Sequence, residues 1–226
     1  MALLKYAAGQ DSVTDTLRRA IVRGQIPPGV RIIERDVAIE LGVSRTPVRE
    51  ALARLQRDGL ISATAGRQRN LLGVAALSLR ELQQTSAATA ALEGIGAAAA
   101  TSQPKRSRLI LAGQLDAVLE SVSREMTPAS GSFARALELD ERFHRLLADG
   151  FLERSVAACL ESARTHVYRY VWMFSPKTGL DAAGFKAEHA PIVAALRRGD
   201  AAGVCAALEA NWSGFATRIA PFLGGL

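Results

Sequence analysis

Residues 42–60 read GVSRTPVREALARLQRDGL, and no other stretch restricts the fold of this chain as much. Gly42 tolerates the left-handed conformation that ends a helix, so the periodic segment before it stops there. Ser44 suits the start of the next helix, because its hydroxyl can accept an orphan backbone N–H of the first turn. Val48, Leu52 and Leu55 then recur at helical spacing and define one apolar face. Arg45, Thr46 and Arg49 fall in the first turns, pointing away from that face. Gly59 closes the helix.

A short helix, a tight turn and a second helix with a polar, basic N-terminus is the geometry that enters a DNA major groove. Only there are all four base pairs distinguishable, and arginine to guanine is the commonest specific contact. The flanks fit the same reading. A helix starts at Asp11 or Ser12, buries Val13, Leu17, Ile21 and Val22, and turns Arg18, Arg19 and Arg23 outward. Gln25-Ile26-Pro27-Pro28-Gly29 stops it, since two prolines cannot continue a helix. A second helix covers Glu34 to Leu41. After Gly59, Leu60–Thr64 and Leu71–Val74 can pair as a hairpin whose tip is residues 65–70, where Gly66 and Asn70 tolerate positive φ. Three helices and a hairpin describe a winged helix-turn-helix over residues 1–76. Arg67 and Arg69 at the wing tip can reach the DNA backbone or minor groove, or form only a solvated turn.

Charge is distributed to match. The net charge is +6, with 12 Lys and Arg against 7 Asp and Glu in residues 1–76, and 16 against 15 in residues 77–226. The excess sits around the helix-turn-helix, as a surface that meets phosphates requires. Hydrophobic residues make up 49% and aromatics 5%. Strand formers concentrate near residues 60–74, so the fold class is mainly α. Cys159 and Cys205 lie on apolar helical stretches and read as buried free thiols in a reducing compartment. No apolar run approaches the roughly 18 residues that span a bilayer, and a cytoplasmic protein with no membrane partner is expected.

Residues 77–226 read as six antiparallel helices: Leu79–Ala100, Lys105–Glu125, Ser132–Asp149, Leu152–Phe174, Gly184–Arg198 and Ala201–Phe222. Pro104, Pro128, Gly131, Gly150, Pro176 and Gly199 punctuate them. Such bundles hold ligand and metal sites between facing helices.

On these residues the chain resembles the GntR superfamily of transcription regulators. Pro28-Gly29, GVSRTPVREAL at 42–52, Leu55 and DGL at 58–60 carry the resemblance in the N-terminal part. The C-terminal part resembles the FCD (FadR-like) subfamily through Asp140-Glu-Arg-Phe-His144, Glu188-His189 and ALRRGDAAG at 195–203. The resemblance implies a homodimer on double-stranded DNA carrying a palindromic operator, with a small metabolite in the bundle controlling its grip, most commonly as a repressor. It assigns DNA contacts to Arg35, Ser44, Arg45, Thr46, Arg49, Gly66 and Arg67. Local physics agrees: Arg45 and Arg49 share a helix face, while Ser44, Thr46 and the helix N-terminus suit phosphate oxygens. An alternative partner for Arg49 is Glu50 or Glu40. The wing run Arg69-Asn70-Leu71-Leu72 departs from the Arg-Gly, small, aromatic pattern of many relatives.

In the metal-binding subfamily the resemblance implies an Asp and three His. Asp140 and His144 share one face of a helix, His189 lies on a later one, and Asn211 stands where the last His belongs. A carboxylate and imidazoles on facing helices suit a divalent transition metal, zinc or nickel. Three readings stay open: the metal binds with Asn211 or water completing its shell; it needs the effector's carboxylate; or His144, His189 and Asn211 hydrogen-bond the effector with no metal. Thr89 replaces an arginine that relatives often use to hold a carboxylate. Arg135, Arg142, Arg164 and Arg169 are candidate substitutes, and Tyr168, in the aromatic run 166–174, is a further effector-binding candidate. Gly94 and Gly96 admit a bulky ligand or reflect close helix packing, which is favoured. Rival functions are a metal-dependent hydrolase at Asp140, His144 and His189, unsupported by any further catalytic motif, and a constitutive DNA-binding protein with a purely structural bundle.

Overall fold

The computed structural model describes residues 12–64, 71–126, 132–179 and 181–223. The chain forms two compact units, Met1–Ser78 and Leu79–Leu226.

In the first unit, α1 (Val13–Val22), α2 (Glu34–Leu41) and α3 (Arg45–Arg57) precede β1 (Ile61–Thr64) and β2 (Leu71–Val74). Ser12 caps α1 by accepting from the Asp15 N–H. Gly24, Gly42 and Gly59 take positive φ where the three helices give way to turns. The two strands pair antiparallel, Ile61 opposite Val74. Arg31 bridges to Gly73 on the far side of β2. Leu17, Ile21, Val37, Leu41, Val48, Leu52, Leu55 and Ile61 close one core, so the apolar face read in α3 is the buried one. The wing-tip residues Gly66, Arg67, Arg69 and Asn70 lie outside the described residues.

The second unit contains α4 (Leu79–Thr101), α5 (Lys105–Glu125), α6 (Phe133–Ala148), α7 (Arg154–Phe174), α8 (Ala182–Arg198) and α9 (Ala201–Leu223). A 3-10 turn, Asp149–Phe151, ends α6, and another, Ser175–Lys177, follows α7. Leu115, Leu119, Phe143, Leu147, Ile192, Leu196, Val204 and Leu208 fill the core. Gly96 shows why a glycine is needed inside a long helix: a Cβ there would stand 2.5 Å from the Ala148 carbonyl oxygen. Close packing, not room for a ligand, therefore explains it. The expectation of two buried thiols fails. Cys159 is exposed and Cys205 half-buried, because on α7 the inward stripe passes through the neighbouring Leu160 and Arg164. Among the described residues no helix is long and apolar enough to cross a membrane.

Candidate functional site

In the first unit, α3 presents Arg45 and Arg49 to solvent, 61% and 65% exposed. Both lean on one carboxylate oxygen of Glu34 at the start of α2, at 3.4 and 3.5 Å. Glu34 thus takes the place expected for Glu50 or Glu40. Arg35 is more exposed still and touches Asp36 at 3.2 Å. Ser44 stands at the N-cap of α3 but makes no side-chain cap bond. One of the two amides that such a hydroxyl can cap is missing, because the third helical residue is Pro47, which has no N–H to give. The hydroxyl and the open amides of the first turn are left for another acceptor or donor.

In the second unit, α6 and α8 bring Asp140, His144 and His189 together. One ligand atom from each lies within 4.8 Å of the others, and all three residues are buried. The Asp140 carboxylate oxygen is 3.1 Å from His189 Nε2 and 3.7 Å from His144 Nε2. The opposite ring nitrogens are occupied. His189 Nδ1 donates to the Phe185 carbonyl at 2.9 Å, and His144 Nδ1 meets Glu93 of α4 at 2.8 Å. A carbonyl only accepts, so His189 carries its hydrogen on Nδ1. The same holds for His144 against an ionised Glu93. In neutral rings, both Nε2 lone pairs then face a carboxylate oxygen. Three acceptors converging in this way suit a cation or a proton between them.

Glu93 is fully buried and serves three donors at once: His144, Arg164 of α7 at 2.9 Å and the Trp212 indole N–H of α9 at 2.8 Å. Burial alone would raise its pKa, but His144, Arg164 and the Trp212 N–H together hold it at about 2. Arg164 also donates to Asp149 and to the His144 carbonyl oxygen. Burial opposes charge on His144, yet Glu93 and Asp140 raise its pKa above the usual value. Asn211 places its amide nitrogen 3.5 Å from His189 Nε2, and a flip of that amide would present oxygen instead.

Beside these groups is a cavity of about 50 Å³, space for roughly four waters. Asp140, His144, His189 and Asn211 line it together with Phe185, Trp212, Phe215 and Arg218. The other effector candidates do not reach it. Arg142 is exposed, because two residues beyond Asp140 is the opposite side of the helix. Arg164 is committed to Glu93 and Asp149. Tyr168 is buried edge-on to Trp212 with no partner for its hydroxyl among the described residues. Its pKa is pushed up by burial and by Asp140 and Glu93. Arg135 pairs with Glu138, and Arg169 lies 4.0 Å from Glu81. The cation that does line the cavity is Arg218, paired with Glu188. Sequence reasoning missed it, and also missed Glu93 and Trp212. The signal for Arg218 was its spacing, two helical turns beyond Asn211.

A helix-turn-helix unit followed by a helical bundle is the arrangement of a DNA-binding transcription regulator. The family models agree: residues 10–68 match "Bacterial regulatory proteins, gntR family" and residues 84–213 match the FCD domain. The chain belongs to the GntR/FCD transcription regulators. An HTH-type transcriptional regulator from Agrobacterium vitis is 35% identical over 58% of this chain and 74% of its own length. A regulator from Bacillus subtilis, YdhC, is 28% identical over 64% of this chain and 62% of its own. A probable D-xylose utilization operon transcriptional repressor from Paenarthrobacter nicotinovorans is 28% identical over 83% and 78%. These alignments span 62% to 78% of the relatives' lengths. The fold is also that of Escherichia coli McbR/YncC, with TM-score 0.72, 20% identity, 93% of this chain and 96% of that one. The family and the curated relatives are transcription regulators, not enzymes, so the hydrolase alternative is not favoured.

Proposed function

We propose that this chain is a metal-assisted, effector-responsive repressor. α3 enters the major groove, with Arg45 and Arg49 reading base edges and Arg35, Ser44, Thr46 and the wing tip at Gly66 and Arg67 holding the backbone. Asp140, His144 and His189 hold a divalent transition metal of the zinc or nickel class. Asn211 or a small organic acid completes the shell. The observation that carries the sensory half is the convergence of three acceptors on one point, with Nδ1 of each imidazole already committed elsewhere. Glu93 behind His144 is the orienting carboxylate that metal-bound imidazoles typically have. When bound, the metal supplies positive charge to a cavity that otherwise holds Asp140 and a neutralised Glu188–Arg218 pair.

In this reading Asp140 and the two imidazoles bind, Glu93 and the Phe185 carbonyl orient, and Phe185 and Phe215 exclude water. The effector favours one of two arrangements of the protein, and the difference in its affinity for the two sets the change in DNA affinity. The protein acts as a homodimer on paired half-sites. A purely structural bundle is the second reading, and the buried acceptors argue against it.

Two measurements test the proposal. Elemental analysis of the purified protein should find near-stoichiometric zinc or nickel, absent from His144→Ala. Binding to duplexes selected from a random library should weaken when small acids are added to the loaded protein. Metal-free protein after incubation with excess zinc and desalting would defeat the metal centre. Operator affinity indifferent to every acid tried would leave the structural-bundle reading.

A further inference from the structure

We infer that Trp212 sets the upper size of the effector, an inference that rests on the sensory reading of the Asp140, His144 and His189 cavity. The placement follows from the helical period of α9. Asn211, Phe215 and Arg218 recur one turn apart and line the cavity. Glu209, Ser213, Ala216 and Ala220 recur likewise on an adjacent face and line a groove of about 710 Å³ beside α4. Trp212 falls on the border between the two stripes. Among the described residues it alone lines both spaces, and it is 3% exposed. Its side chain is the partition between them.

The partition is held in place. The indole N–H donates to Glu93 at 2.8 Å, and hydrogen bonds to a charged acceptor are the strong ones. The His144 ring lies 4.9 Å away, tilted by 42°. Tyr168 and Phe215 each meet the indole in a T-shaped contact at 6.1 Å. Swinging the ring aside would break the bond to a buried carboxylate and all three ring contacts.

What lies behind this wall differs from what lies behind the others. The cavity, about 50 Å³, takes an occupant of about four to six non-hydrogen atoms. Phe185, another of its walls, belongs to the packed core, so shortening it opens only an enclosed hole. Behind Trp212 the groove lining is small and apolar: Ala87, Ala90, Ala91 and Gly94 of α4. Ser86 also lines it, 2% exposed, its hydroxyl without a partner among the described residues. Shortening Trp212 therefore extends the cavity into a channel that an alkyl tail can occupy. With the indole in place, an acid of about two to four carbons fits and a longer chain is stopped by the ring.

Calorimetric titration of the full chain, supplied with zinc, against straight-chain acids from acetate to octanoate tests the size limit. In the wild type, affinity should fall at least about tenfold between butyrate and hexanoate, the discrimination that an apolar wall achieves. Trp212→Ala should bind hexanoate and octanoate at least about tenfold more tightly than the wild type does. Trp212→Leu, which leaves more of the interior filled, should move the limit the same way by about two carbons. A wild type that binds octanoate as tightly as butyrate, or folded variants that keep the wild-type limit, would overturn the inference. Free indole separates a failed partition from a failed sensory reading, because it needs neither metal nor acid. At ten times its dissociation constant it should refill the opened space and raise the midpoint of Trp212→Ala by about 3–6 °C, leaving the wild type unchanged. No stabilisation of that variant would overturn the partition. Stabilisation by indole in a protein that binds no acid of the series would instead refute the acid reading, and the size limit with it.

Discussion

Glu93→Ala tests the centre of the bundle. The substitution leaves three buried donors without an acceptor: His144 Nδ1, the Arg164 guanidinium and the Trp212 indole. Arg164 keeps Asp149 and the His144 carbonyl, so it is only partly orphaned. Removing one partner of a buried ion pair costs about 3–5 kcal/mol, and the lost neutral donor bond adds about 1 kcal/mol. We expect a loss of about 4 kcal/mol. For a chain of this size each kcal/mol shifts Tm by about 2–4 °C, so the midpoint should fall by about 8–16 °C. Metal affinity should fall about 10–100-fold, as for loss of other orienting carboxylates. Calorimetry and competitive metal titration read the two effects separately. A Glu93→Leu/Arg164→Met double variant should be more stable than Glu93→Ala alone, because it removes the uncompensated charge. A midpoint within 2 °C of wild type would refute the network's structural role. A destabilised protein with unchanged metal affinity would refute its orienting role.

Arg45→Ala/Arg49→Ala should lose about 2–6 kcal/mol of specific DNA binding without a change in Tm, since both side chains are exposed; anisotropy against a selected duplex reads it, and full binding would contradict the assignment of α3. Glu34→Gln should tighten DNA binding by up to about 1 kcal/mol, by releasing both arginines from a screened contact; weaker binding would show that Glu34 orients them. Asn211→His should raise zinc affinity at least about tenfold, ~1.4 kcal/mol, in chelator competition, and no gain would mean position 211 lies outside the coordination shell. Gly96→Ala should lower stability by about 1–3 kcal/mol, because its methyl meets backbone at Ala148 rather than a side chain that can move; a neutral effect by thermal melting would show that α4 and α6 can part.

How much of this was legible depended on whether the information was local. Gly42, Gly59 and the α3 apolar stripe are local signals, and the observed elements follow them to within a residue or two. The one-turn spacing of Asp140 and His144 is equally local. Glu93 was not legible as the partner of Arg164, because the two are 71 residues apart and only packing joins them. Arg142 could have been set aside from the helical period alone, which turns it away from Asp140. Ser44 looked like an ordinary cap until Pro47 was counted among the possible donors. The exposure of Cys159 shows the remaining limit: an apolar helix in a bundle still has an outer side, and composition does not say which residue occupies it.

The shared contact of Arg45 and Arg49 with Glu34 bears on how the protein finds its target. A regulator meets vast amounts of the wrong sequence first, and every unopposed cation prolongs each of those encounters. Here Arg45 and Arg49, the arginines proposed to read the bases, keep an intramolecular counter-ion that a phosphate would do little better than replace. A guanine edge offers two aligned acceptors and competes more effectively. On the proposed reading, the carboxylate would cost little at the correct site and shorten residence elsewhere, so that the chain would move quickly along random sequence and stop where the bases match.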